Sequence, residues 1–339
     1  MMRNSRKIAL FAVRYGLFLA LGLWIVIMSF TSEHFFTLYN FLNVARQASP
    51  VVIIAVGMTF VIATAGIDLS VGSMVALISV ISASLINAGL PVELAIPFIL
   101  LIGAAAGAVN GFFVLIGLPA FVVTLAALTY FRGIAFVYSN GYATPIKSDI
   151  FNWLGRGWIG GIPVPIIIAS IVAAIGWFVL NRTRFGVYTL AIGGREEAAR
   201  AMGINVGRIK LAVYTVTGLL AALSGMVISA RLSNGSPNAG MMLELDVIAA
   251  TVLGGTSLFG GAATVGGTIA GALFINVVRN SLNLMGVYPF WVQVVTGIIL
   301  LIAILLNTVV NRRVEEWART SELDIQEVGL DKDEGREGN

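Results

Sequence analysis

The 339-residue chain has no cysteine, one histidine and few charged residues. Without cysteine it holds no disulfide, no thiolate nucleophile and no cysteine metal site. His34 has no second histidine with which to build a metal site or an acid–base pair. None of Lys7, Lys147, Lys210 or Lys332 follows a glycine, so the GxxxxGK[ST] loop that cradles phosphates is missing as well. These absences argue against catalysis by this chain and against a cofactor or metal bound to it. If nucleotide hydrolysis drives the protein, another subunit performs it.

What the chain has in abundance is apolar sequence. Hydrophobic residues make up 58% and charged residues 11%, with mean hydropathy +0.93, against roughly 25% charged in soluble domains. The expected fold class is all-α: a polytopic membrane protein with about ten transmembrane helices, both termini cytoplasmic, and broken helices near a translocation path. The expected spans are 8–30, 50–66, 69–88, 93–117, 120–138, 163–181, 211–231, 246–262, 264–285 and 290–308. An even number of spans puts both termini on one side. Arg3, Arg6, Lys7, Arg312 and Arg313 mark that side as cytoplasmic, where positive charge is retained. The opening MMRNSRK precedes about 22 mostly apolar residues, longer than the roughly 7–15 of a signal-peptide core, and reads as an uncleaved first span. Residues 1–311 form the transmembrane domain, and 312–339 an acidic cytoplasmic tail whose polar, aperiodic sequence predicts disorder. The net charge of +4 comes from basic residues at span ends and calls for no nucleic acid.

On this topology residues 31–49, 139–162 and 232–245 lie outside. Trp153 and Trp158 suit the headgroup level. Gly155, Gly157 and Gly160 satisfy a GxGxxG pattern, but no strand precedes them and no soluble helix follows, so a phosphate role is rejected. Gly103, Gly107 and Gly111, and again Gly267 and Gly271, recur at helical spacing and predict close helix contact.

One long charge-rich interruption divides the apolar sequence, at 181–210, with Arg182, Arg184, Arg195, Arg200, Arg208 and Lys210 holding it inside the cell. Within this loop of 182–210, residues 195–202 predict a short helix, with Glu196 and Glu197 in its first turn and Gly203 placed to end it. Glu196 and Arg200 lie four apart, a pairing worth only about 0.2–0.5 kcal/mol on an exposed helix. The segment is either a capped surface helix or a docking element, whose small Ala198, Ala199 and Ala201 would admit another protein's groove, with Met202 as an adaptable apolar contact.

Two glycine-rich interruptions mark the expected broken helices, GMTFVIATAGIDLSVGS at 57–73 and VLGGTSLFGGAATVGG at 252–267. The echo between VIATAGIDLS and VIAATVLGGTS is consistent with duplication. Asp68 is the one acid deep in a hydrophobic region, where burial costs about 2.5–3.5 kcal/mol, so it must face protein or a water-filled cavity. Capping of the next helix is favoured for it over ligand contact. Glu244 and Asp246 read as solvated helix-start acids, with a receptor-facing role as the alternative. Asn276, Asn280 and Asn283 share a helix face with Arg279 nearby, and either line a pathway or bond neighbouring helices. The candidate path residues are therefore Asp68, Ser70, Asn276, Asn280 and Asn283.

Four stretches carry a resemblance: GMTFVIATAGIDLSVGS, LPAFVVTLAALTYFRG, TRFGVYTLAIGGREEAARAMGINV and LELDVIAATVLGGTSLFGG. In this order and spacing they resemble the membrane subunit of bacterial ABC importers for monosaccharides of the ribose, arabinose, xylose and galactose type, over roughly residues 30–308. The resemblance implies a homodimeric permease in the bacterial inner membrane. Its partners would be a periplasmic or lipid-anchored sugar-binding protein outside and an ATPase with two fused nucleotide-binding domains, carrying ATP-Mg, inside. It also implies that Gly193, Gly194, Glu196, Ala198, Arg200 and Gly203 form the segment that docks into the ATPase, with Arg195 standing where the family usually has asparagine. The rivals are the same importer class carrying a nucleoside or branched-chain amino acid, and an ion-coupled secondary transporter resting on Asp68.

Overall fold

The computed structural model describes residues 17, 19, 21–288, 290–295, 297–299, 301, 302 and 305. The start of the expected first span, the end of the tenth and the 312–339 tail lie outside them. In chain order the helices are α1 (Leu21–Thr31), α2 (Leu38–Ala63), α3 (Val71–Asn87), α4 (Val92–Leu115), α5 (Ala120–Ser139), α6 (Asp149–Arg156), α7 (Val164–Arg182), α8 (Arg184–Gly194), α9 (Glu196–Ala201), α10 (Val206–Leu232), α11 (Leu243–Leu253), α12 (Val265–Leu284) and α13 (Phe290–Ile299). Two-residue strands β1 (Thr144–Pro145) and β4 (Asn234–Gly235) pair antiparallel, as do β2 (Trp158–Ile159) and β3 (Ile162–Pro163).

Local chemistry sets many of these starts. Thr37, Ser148, Thr183, Asn205 and Thr264 each accept a backbone N–H from the first turn that follows, ahead of α2, α6, α8, α10 and α12. Pro91, Pro119 and Pro163 precede α4, α5 and α7, where a fixed φ suits the turn into a helix and no N–H is lost from the ladder.

Among the described residues five helices, α2, α4, α5, α7 and α10, are long and apolar enough to cross a membrane. They fall into two kinds. In α2 and α10 most of the apolar stretch is buried, 83% and 67%, against 28% in α4 and α5 and 33% in α7. The first two therefore form the centre, and the other three turn apolar side chains such as Phe112, Phe121, Ile134 and Phe178 outward. The main core joins α2, α3, α10, α11 and α12 through fully buried Ile53, Met74, Tyr214, Val247 and Ile275. α4 reaches α10 through its glycines. A side chain at Gly103 would overlap Ala222, one at Gly107 would overlap the Tyr214 carbonyl, and one at Gly111 would lie 3.1 Å from the Leu211 backbone. Gly267 and Gly271 set α12 equally close to Gly254 and Ala250 of the preceding segment. Where lipid is as apolar as the side chains, close backbone approach supplies the packing energy.

Three differences from expectation have physical causes. α2 begins at Leu38, so the outer segment predicted at 31–49 is largely helix. Asn40, Asn43, Arg46, Gln47 and Ser49 depress hydropathy there, yet Asn40 and Ser49 are buried, the latter's hydroxyl donating to the Ala45 carbonyl at 2.8 Å. The expected span 246–262 is an 11-residue α11 followed by irregular chain at 254–264, because Gly254, Gly255, Gly260 and Gly261 end it. The expected interfacial segment contains the amphipathic α6, anchored by fully buried Phe151 and by Gly155, which abuts the Arg231 backbone. Packing against α10 is thus the role of one glycine of the rejected GxGxxG pattern.

Gly103→Leu should lower the melting temperature of the detergent-purified protein, since overpacking costs about 1–3 kcal/mol. Gly133→Leu, at a position on α5 with nothing within 4 Å of an added Cβ, should leave it unchanged.

Candidate functional site

The charged interruption folds as two short helices sharing one junction residue. Arg195, with extended φ −159° and ψ 98°, is at once the C-cap of α8 and the N-cap of α9. α9 ends in a left-handed Gly203 (φ 81°). The Gly203 N–H donates to the Arg200 carbonyl at 2.9 Å and the Ile204 N–H to the Ala199 carbonyl at 3.0 Å, which satisfies the last turn. The helix spans 196–201, within the predicted 195–202. Ala199 is buried in a small cluster with Ile192 and Val206, so of the three alanines only Ala201 stands fully outward, beside the exposed Met202.

Glu196 makes the predicted pair with Arg200 at 2.8 Å and also one that local spacing does not reveal, with Lys210 Nζ at 2.6 Å. The second ties α9 to α10. Hydrogen bonds from Lys210 first and Arg200 next hold the Glu196 carboxyl below the usual glutamate range.

The first helix break, residues 64–70, lies beside this loop. Thr64, Gly66, Leu118, Glu196, Lys210 and Tyr214 line one cleft of about 300 Å³. Three helices satisfy the break. The Tyr214 hydroxyl of α10 donates to the Ile67 carbonyl at 3.2 Å, and the Thr124 hydroxyl of α5 reaches the same oxygen at 3.3 Å. Asn110 of α4 donates to Ser70 Oγ at 2.8 Å, and the Tyr130 hydroxyl donates to Asn110 Oδ1 at 3.3 Å. Asp68, fully buried, accepts the Ser70 N–H at 2.9 Å and the Ser70 hydroxyl at 2.6 Å on one carboxylate oxygen. It therefore shapes the turn into α3 at the N-cap residue, one step before the free N–H groups of the first turn. Its Oδ2 is buried without a hydrogen bond.

The second break, 254–264, packs onto the first. The Gly261 N–H donates to the Ala63 carbonyl at 3.1 Å, and a Cβ at Gly260 would lie 2.9 Å from the Ala65 methyl group. The end of α8 joins them, because a Cβ at Gly193 would overlap the Ala63 carbonyl oxygen and lie 2.5 Å from Gly261 N. Gly194 lies next to Gly261 and is otherwise open.

The remaining predicted residues lie on α11 and α12. Asn280 and Asn40 exchange two hydrogen bonds of 3.0 Å between α12 and α2. Asn276 donates to the Ala272 carbonyl one turn back on its own helix, at 2.9 Å, and Asn283 is exposed. Glu244 and Asp246 do begin a helix, but both are buried, so they are not solvated acids. Arg279 donates to both Asp246 oxygens at 2.9 Å, which explains how α11 tolerates that acid. Arg132, unremarked in the sequence, donates to the Pro237 and Ala239 carbonyls at 2.8 Å and so holds the segment leading into α11. Its position inside LPAFVVTLAALTYFRG is the one signal that singles it out.

A carboxyl depressed in the folded state adds stability above its unfolded pKa, about 4.3, and loses it as pH falls through the lower folded value. The Glu196 tie is thus intact at neutral pH. Amide exchange over 196–203, corrected for its intrinsic pH dependence, should rise on acidification only below about pH 4. At pH 7 Lys210→Met should raise it about 2- to 5-fold.

The family model described as branched-chain amino acid transport system / permease component matches residues 40–304. The ribose import permease protein of Haemophilus influenzae is 44% identical over 317 residues, covering 91% of this chain and 98% of the relative. That of Bacillus subtilis is 45% identical over 297 residues, covering 87% and 92%. The xylose transport system permease protein of Escherichia coli is 36% identical over 337 residues, covering 81% and 86%. No solved structure matches the chain.

Proposed function

The chain belongs to the family of transport-system permease components, and from that premise we propose that it is the membrane permease of an ATP-driven ABC importer carrying a ribose-type monosaccharide. The observation that carries this reading is the placing of α9, a short charged helix with Ala201 and Met202 outward: it lines one cleft with the first helix break and follows directly on α8, whose end touches both breaks. Ten spans, cytoplasmic termini and a second copy of the chain complete the assembly in the inner membrane. An external sugar-binding protein delivers the cargo. A separate ATPase, with two fused nucleotide-binding domains and its own ATP-Mg, grips the segment containing Gly193, Gly194, Glu196, Ala198, Arg200 and Gly203.

The mechanism is alternating access. ATP-driven closure of the ATPase displaces α9, and the dimer pathway opens to one side and then the other while the sugar passes unchanged. Asp68 and Ser70 shape the break beside that pathway. Asn280 ties α12 to α2, and Asn276 and Asn283 on the same helix remain candidates for lining the path. The permease needs no dense polar site of its own, since the external receptor supplies selectivity. The family description favours a second cargo class, branched-chain amino acids.

Vesicle uptake with the purified receptor and ATPase separates these readings. Labelled pentose should enter only with ATP inside the ATPase compartment, leucine should not compete, and Asp68→Asn should retain uptake. Uptake driven by an ion gradient alone would decide for a secondary transporter. The chain has no native cysteine, so a single Glu197→Cys reports sidedness cleanly. It should resist impermeant thiol reagents in intact cells and react in inverted vesicles. Reaction from outside would overturn the docking assignment.

A further inference from the structure

Three segments distant in sequence meet at the end of α8 with no side chain between them. A Cβ at Gly193 would collide with the Ala63 carbonyl oxygen, and one at Gly260 would come within 2.8 Å of Gly193 Cα. The Gly261 N–H bonds the same Ala63 carbonyl at 3.1 Å. α8 thus touches the last residue of α2, where the first break begins, and the loop that forms the second break. We infer that Gly193 is a positioning residue, whose backbone contact with Ala63 and Gly260 passes movement of the docking segment into both helix breaks at once.

The inference rests on the proposed docking of an ATPase at α9, and adds the route by which that docking reaches the pathway. Its physical basis is stiffness. Side chains at a contact absorb small displacements by changing rotamer, whereas backbone against backbone has no such give, so a shift of α8 must be followed or the contact broken. The connection is short at both ends. On one side a single residue, Arg195, separates α8 from α9. On the other, Ala63 lies four residues before Ile67, whose carbonyl is held by Tyr214 and Thr124. Small shifts at packed contacts become discrete rearrangements because such contacts are bistable.

The test compares Gly193→Ala with Gly266→Ala, a glycine beside the second break with nothing within 4 Å of an added Cβ. In the isolated permease, Gly193→Ala should raise amide exchange in peptides from both breaks, 64–70 and 254–264, by about 10-fold, leaving peptides from α4 and α10 unchanged as a control for folding. Gly266→Ala should change neither break by more than about twofold. With the ATPase and receptor present, sugar taken up per ATP hydrolysed should fall about 10-fold in Gly193→Ala, an uncoupling that a merely structural defect would not produce. Unchanged exchange at either break, or a wild-type ratio of uptake to hydrolysis, would overturn the inference, as would loss of uptake together with loss of ATPase binding. The exchange measurement needs no partner, so it stands or falls separately from the docking itself. Absence of ATP-dependent uptake in the unaltered protein would instead refute the proposed function.

Discussion

A backbone carbonyl or N–H left without a partner at membrane depth costs several kcal/mol, so an interrupted helix persists only where other protein groups complete it. The two breaks are the expensive feature of this structure, and the surrounding helices are arranged to satisfy them. α5 and α10 share the Ile67 carbonyl, α4 holds Ser70, and the second break itself donates to the end of α2. Tyr214, fully buried, serves twice: its hydroxyl bonds the first break, and its main-chain carbonyl faces Gly107 of α4.

Close approach is the second requirement. The hydrophobic effect does not drive one apolar helix against another in lipid, and van der Waals contact at small residues takes its place. The same device appears in three settings here. It brings α4 onto α10, α12 onto α11, and α8 onto both breaks. In the first two it fixes a resting architecture. In the third it lies between an exposed, charged helix and the irregular backbone of both breaks.

Several charged side chains are matched by the fold. Asp246 has Arg279, and Arg132 spends its donors on carbonyls of the segment ahead of α11. Glu196 is held by two cations yet remains partly exposed, as suits a helix facing a partner. The permease family and the ribose-import relatives agree with a transport subunit.

Much was legible without coordinates, because it depends on near neighbours. Apolar composition and length dictate membrane helices. Gly203 announces the end of α9, and the glycine spacing of α4 announces a packing face, whereas α8 and the early start of α10 at Val206, capped by Thr183 and Asn205, were not read. The order of four motifs identifies the family. What could not be read is every pairing between distant segments. Lys210 lies 14 residues from Glu196, Arg279 lies 33 from Asp246, and Asn280 lies 240 from Asn40. Hydropathy undervalued the start of α2 and misjudged Glu244 and Asp246 for the same reason. A polar side chain scores as exposed until its partner is known, and the partner is chosen by how the helices pack. The sequence by itself determined that apolar helices build the chain and that one charged segment divides them; only the tertiary structure decided that Gly193 rests against Ala63 and Gly260, since a contact without side chains leaves no pattern along the chain.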